Sequence, residues 1–262
     1  MTQLLISVKN VEEALIALTA GVDIIDLKDP EVGALGALDI DTTVQILQLI
    51  QQYSRANTTQ TNTLTSATVG ESHTNFDALL SDIHSRAKMG IDLVKISISE
   101  RFNKQDSAYD WLNHLSANLR MMDDSEIPNV KLVAVFFADE PMDFNLLEKL
   151  KMAGFYGAML DTSTKHQNLL EVCTKQTLQI FTQICQKNHL KSGLAGSLKA
   201  QHVDYLMHIN PSYIGFRGGV CEGGMRMRTI APHKIDDIKN LLHEHNKFNG
   251  IAHKSSNLAL HS

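Results

Sequence analysis

One feature constrains this chain more than any other: short β-rich runs and longer helix-like stretches take turns, and they do so eight times. "LLISV" leads into "VEEALIALTAG", where Val11, Ala14, Leu15 and Leu18 repeat at a helical period and Gly21 stops the helix. "DIIDLK", "TLTSATVGE", "DLVKISI", "KLVAVFFA", "GAMLDTS", "KSGLAGS" and "YIGFRGG" are the next seven strands. Each is followed by a helical pattern. These include a stretch from about Ser107 to Met122, a long one from about Leu169 to Asn188, and "KIDDIKNLLHEH" after the last strand. Such alternation implies a parallel sheet with right-handed crossovers. Eight units in 262 residues match a closed (β/α)8 TIM barrel of α/β class, built as a single domain. A doubly wound open sheet rarely fits so many units into so short a chain. The barrel is expected over residues 1–247. Residues 248–262, "FNGIAHKSSNLALHS", show little periodicity and read as a loose polar tail. "SRANTTQTNT" before the third strand reads as an exposed loop.

Composition narrows the function. An apolar fraction of 43% supplies a large core, and a net charge of -5 leaves no basic footprint for nucleic acid. Cys173, Cys185 and Cys221 have neither metal-ligand spacing nor an even framework, which fits a reducing cytoplasm. "MTQLLISVKN" lacks the apolar run of a signal peptide, and no segment has the roughly 20 apolar residues of a membrane helix. A cytoplasmic protein is expected, with a small molecule as its partner rather than nucleic acid or membrane. A homo-oligomer is possible on the general habit of barrels.

In barrels of this class the active site lies at the C-terminal ends of the strands. The second strand ends in Asp26 and Lys28, which share one face; the fourth carries Lys95 between Val94 and Ile96; the sixth ends in Asp161, with Lys165 shortly after. One such charge is usually solvated. Three lysines and two aspartates on three even strands point to a common site, because a buried lysine is rare without a partner. A neutral lysine amine attacks a carbonyl to give an imine, an electron sink, and burial or nearby cations lower its pKa toward that state. Aspartates then shuttle protons in aldol-type and dehydration steps. The set suits carbon–carbon bond chemistry on an aldehyde.

The last two strand ends differ in kind. "GLAGSLK" places Gly193, Ala195, Gly196 and Ser197 before a helix, and "GFRGGVCEGG" places Arg217, Gly218 and Gly219 after the eighth strand. Loops after strands seven and eight are the recurring phosphate site of this fold, and glycines let backbone N–H groups approach an anion. Arg226 and Arg228 either meet a second anion or stay solvated. The 12 histidines are scattered, and His243 and His245 do not share a helical face, so neither a metal nor any other cofactor is expected. Cys221 has no histidine partner in the sequence and is not read as a nucleophile.

The motifs "DIIDLKDP..GALGA", "LVKIS", "MLDTSTK", "GLAGSLK" and "RGGVCEGG", in this order over nearly the whole chain, resemble the (5-formylfuran-3-yl)methyl phosphate synthase family of methanofuran biosynthesis. The resemblance implies a barrel lyase that condenses two molecules of glyceraldehyde 3-phosphate into a phosphorylated furan aldehyde, losing one phosphate and water. It places the family's functional residues on Lys28, Asp26, Lys95, Asp161 and Lys165, with Lys28 forming the imine, Lys165 second in line, and Asp26 as the proton partner of Lys28. Asp161 and Lys95 are expected in proton transfer and dehydration, or in holding the second triose. The Thr/Asn/Gln insertion near residue 60 and the polar tail depart from the family pattern. Two alternatives stand beside this reading. One is another Schiff-base aldolase or lyase acting on a phosphorylated sugar. The other is a non-catalytic barrel partner in one-carbon metabolism, which would have no use for buried amines.

Overall fold

The computed structural model describes residues 1–57, 63–70, 75–98, 105–121, 130–164 and 166–258. Eight parallel strands close a barrel in chain order, with β8 pairing back onto β1. They are β1 (Gln3–Val8), β2 (Ile24–Leu27), β3 (Leu64–Thr68), β4 (Leu93–Ser97), β5 (Lys131–Phe137), β6 (Gly157–Asp161), β7 (Lys191–Leu194) and β8 (Tyr213–Phe216). The helices between them are α1 (Val11–Ala20), α2 (Ile40–Ala56), α3 (Phe76–Lys88), α4 (Gln105–Met121), α5 (Leu146–Met152), α6 (Leu169–Val172), α7 (Lys175–Lys187), α8 (Val203–Met207) and α9 (Pro232–Leu258).

Local chemistry sets the helix ends. The Asn10 side chain accepts from the Glu13 N–H at 2.9 Å to start α1, and Gly21, at φ 65°, ends it in a left-handed turn. Asp39 caps α2 through the Thr42 N–H in the same way. The single helix expected from Leu169 to Asn188 is two. Cys173 and Thr174 are extended, and the Thr174 hydroxyl caps the second piece by accepting from the Thr177 N–H. After β7 there is only a 3-10 turn (Ala200–His202) and the five-residue α8. At the C-terminus α9 runs on to Leu258, so residues 248–258 continue a helix past the point where the sequence pattern fades. Of the polar run expected as a loop before β3, residues 54–56 close α2, and residues 58–62 lie outside the described residues.

The alternation of strand side chains makes two cores. Leu4, Ile6, Val8, Ile25 and Leu27 face outward and pack with the helices. Leu5, Ile24, Leu93, Val133, Val135, Phe137, Met159 and Tyr213 face inward and fill the barrel. Ser7, Asp26, Lys95 and Asp161 each lie two residues beyond one of these inward apolar residues. They therefore point into the barrel as well, one layer nearer its C-terminal end. Among the described residues no helix is long and apolar enough to cross a membrane.

Candidate active site

A cavity of about 350 Å³ opens at the C-terminal end of the barrel, lined among others by Ser7, Asp26, Lys28, Lys95 and Asp161. All four charged groups are buried: Asp26 is 1% exposed, Lys95 3%, Asp161 4% and Lys28 7%. Such burial is costly unless each charge is paired, and they are. Lys95 Nζ lies 2.5 Å from Asp26 Oδ1, and Lys28 Nζ lies 3.4 Å from Asp161 Oδ2. This differs from the expected partnership of Asp26 with Lys28. Residues two apart on one strand are separated by the strand's own rise, whereas neighbouring strands bring side chains closer across the barrel.

Asp26 is the most tightly held. Its register partners on both sides are serines, Ser7 on β1 and Ser66 on β3. The Ser7 hydroxyl donates to Oδ2 at 2.8 Å and the Ser66 hydroxyl to Oδ1 at 2.5 Å. Burial alone would raise the Asp26 pKa. The Lys95 and Lys28 ammoniums and the hydrogen bonds outweigh it and hold the carboxyl below its usual range. For Lys95 burial wins: it lowers the amine pKa, Lys28 adds to the lowering, and Asp26 opposes it. Neither serine stands out in the sequence, since a serine in a strand carries no signal until the register is known. Lys165 lies outside the described residues. The loop before it is fixed by Asp139, whose carboxylate accepts from the N–H groups and hydroxyls of both Ser163 and Thr164 at 2.7–3.1 Å. Burial would raise Asp139, but these bonds hold it below its ordinary value.

The proposed phosphate residues divide. Ala195, Gly196, Ser197, Arg217, Gly218 and Gly219 line the cavity. Among the described residues no acceptor is found for the backbone N–H groups of Gly196, Ser197, Gly218 and Gly219. Gly196 and Ser197 both have positive φ, 108° and 48°, and a Cβ on Gly219 would run into the Leu198 carbonyl. Four donors without partners around one cavity form a cradle for an anion. With only a 3-10 turn and α8 behind Ser197, the backbone N–H groups carry this argument and the helix dipole does not. Gly193 has a different task. It does not line the cavity, and a Cβ there would overlap the Tyr213 ring. Arg217 also departs from expectation. Its Nε donates to the Arg226 carbonyl at 2.9 Å, Nη1 to the Ser7 carbonyl at 3.1 Å and Glu13 Oε2 at 2.5 Å, and Nη2 to Glu13 Oε1 at 3.1 Å and the Arg228 carbonyl at 3.3 Å. A guanidinium has five N–H donors, so this one has none left for a phosphate. Lys199 and Arg226 line the cavity beside Arg217, and Arg226 also donates to the Gly33 carbonyl at 2.8 Å. Among the described residues no three His, Cys, Asp or Glu side chains group as metal ligands.

Solved barrels share the fold at low identity. Phosphoribosyl anthranilate isomerase from Thermus thermophilus has a TM-score of 0.57 at 10% identity, covering 93% of this chain and 99% of that one. 3-Hexulose-6-phosphate synthase from Salmonella typhimurium has 0.60 at 12%, covering 93% and 100%. Sequence relatives are nearer. A Methylorubrum extorquens protein provisionally named (5-formylfuran-3-yl)methyl phosphate synthase is 34% identical over 87% of this chain and 86% of its own. The (5-formylfuran-3-yl)methyl phosphate synthase of Methanocaldococcus jannaschii is 31% identical over 85% and 92%. Residues 4–239 match the family model described as 4-HFC-P synthase, and the chain belongs to that family, the (5-formylfuran-3-yl)methyl phosphate synthases.

Proposed function

We propose that this protein is a lyase that condenses two molecules of glyceraldehyde 3-phosphate into (5-formylfuran-3-yl)methyl phosphate, releasing phosphate and water, through an imine on Lys28. The observation that carries the reading is the meeting of Lys28, Asp161, Lys95 and Asp26 in one cavity whose rim holds four unpartnered backbone N–H groups. Amines and carboxylates suit an aldehyde, and the rim suits its phosphate.

Lys28 is the amine best placed to attack. It reaches the cavity, and its contact with the Asp161 carboxylate is long enough to yield to a substrate carbonyl. Asp161 is positioned to take the proton that the amine must lose. One Asp161 oxygen already accepts from the Thr162 N–H at 2.7 Å, which fixes the carboxylate and leaves the other oxygen toward Lys28. Lys95 acts as the acid of the dehydration steps: burial favours release of its proton, and Asp26 fixes its position. Asp26, with both oxygens engaged, serves as a held anion. Lys165 remains a second candidate for the imine from its place in the sequence.

The test is incubation of the purified protein with glyceraldehyde 3-phosphate alone, following the ultraviolet chromophore of a furan aldehyde and released phosphate. A furan with one phosphate freed per two trioses is expected, and borohydride should trap the adduct on Lys28. A trapped lysine without furan would mean a different aldolase or lyase. Absence of both signals would overturn the enzymatic reading.

A further inference from the structure

We infer that Glu13, outside the cavity, and Arg217, on its wall, form a positioning pair that shapes the phosphate cradle through the backbone; the inference rests on the reading of that rim as a phosphate site. Glu13 is 0% exposed, on the first turn of α1, and it does not line the cavity. Its carboxylate accepts both arms of the Arg217 fork and the Lys9 N–H. The remaining Arg217 donors hold the Ser7, Arg226 and Arg228 carbonyls. One guanidinium thus ties the end of β1 and the first turn of α1 to both ends of the loop after β8. Gly218 and Gly219, with their unpartnered N–H groups, lie between Arg217 and Arg226 in the chain.

A loop with Gly218, Gly219, Gly223 and Gly224 has little stiffness of its own. An anion cradle binds well only when its donors are already in place. The buried pair supplies that stiffness, and it acts through the backbone. Arg217 does not touch the anion, because its donors are all engaged.

Glu13→Gln separates the possibilities by sign. In the variant the fork loses a charged acceptor and one arm meets an amide N–H. The dissociation constant for inorganic phosphate, measured by calorimetry, is expected to rise about tenfold or more. KM for the triose phosphate should rise with it, while borohydride still traps Lys28 at saturating substrate. A pair that only stabilises the fold would lower the melting temperature and leave the phosphate constant unchanged, and that result overturns the inference. Tighter phosphate binding would also overturn it, by showing that a released Arg217 binds the anion itself. If Glu13→Gln does not fold, Arg217→Lys keeps the charge and loses the fork. Weaker phosphate binding then supports the pair, and an unchanged constant overturns it. Wild-type protein that binds no phosphate would remove the cradle reading and this inference together; wild-type binding that the variants leave unaltered would remove only the inference.

Discussion

Lys28 and Lys95 are both buried at the same cavity, yet their surroundings differ. Lys95 is locked to Asp26, while Lys28 has a looser partner and the better approach to a carbonyl. Lys28→Ala is therefore expected to abolish furan formation and borohydride trapping while leaving the circular dichroism spectrum near wild type. Full activity in that variant would end the imine assignment. The Lys95–Asp26 pair predicts a stability effect instead. Lys95→Met removes the nearest cation from a buried carboxylate and should cost about 3 kcal/mol. Adding Asp26→Asn should return much of that loss, because the uncompensated charge is gone. Urea unfolding of both single variants and the pair measures the coupling. That these charges meet at one cavity is legible in the sequence, since they fall at the ends of even-numbered strands. Their pairing is not. It depends on which strands the barrel sets side by side, and the same register makes Ser7 and Ser66 matter. Glu13 is equally hidden, because a glutamate in the first turn of a helix reads as an ordinary solvated residue.

The alternation of elements is readable because each strand is a short apolar run and each helix has its own period and cap. The misreadings sit where a local cap overrides the period. Thr174 divides one expected helix in two, and the helix after β7 shrinks to a 3-10 turn and α8. Glycines mislead for a related reason: Gly193 and Gly219 look alike in sequence, but Gly193 makes room for an aromatic ring and Gly219 for a neighbouring carbonyl at the cavity wall. The loop after β6 shows what an element needs to hold a site. Asp139, at the end of β5, receives four hydrogen bonds from Ser163 and Thr164, just beyond Asp161. Asp139→Ala should free that loop. Amide hydrogen exchange at Ser163 and Thr164 should become faster, and kcat should fall about tenfold or more as Asp161 loses its fixed geometry. Unchanged exchange at those two amides would show that the loop is held by something else.

At the scale of the whole molecule, closure of the sheet turns a sequence pattern into a layered interior. Ile24, Leu93 and Met159 form an apolar floor, and Asp26, Lys95 and Asp161 stand two residues further along the same strands. The hydrophobic layer specifies the barrel, and the charged layer above it carries a stability cost that depends on pH. Asp26 and Asp139 are both held below the ordinary carboxylate range, so the folded state binds their protons less readily than the unfolded chain. Their stabilisation is fully present above the unfolded value of about 3.9 and is lost as pH falls through the lower folded values. Lys95 works in the same direction at higher pH. Its amine is lowered by burial, so its penalty is greatest where it is charged in both states and eases as pH rises through its folded pKa. Stability in urea should therefore drop on acidification below about pH 5, with a slope of up to about 1.4 kcal/mol per pH unit for each proton taken up on unfolding. The combined Asp26→Asn, Lys95→Met variant should have a shallower acid limb, by about one such proton. Equal acid slopes in the two proteins would mean that the charged layer is already neutralised in the folded barrel.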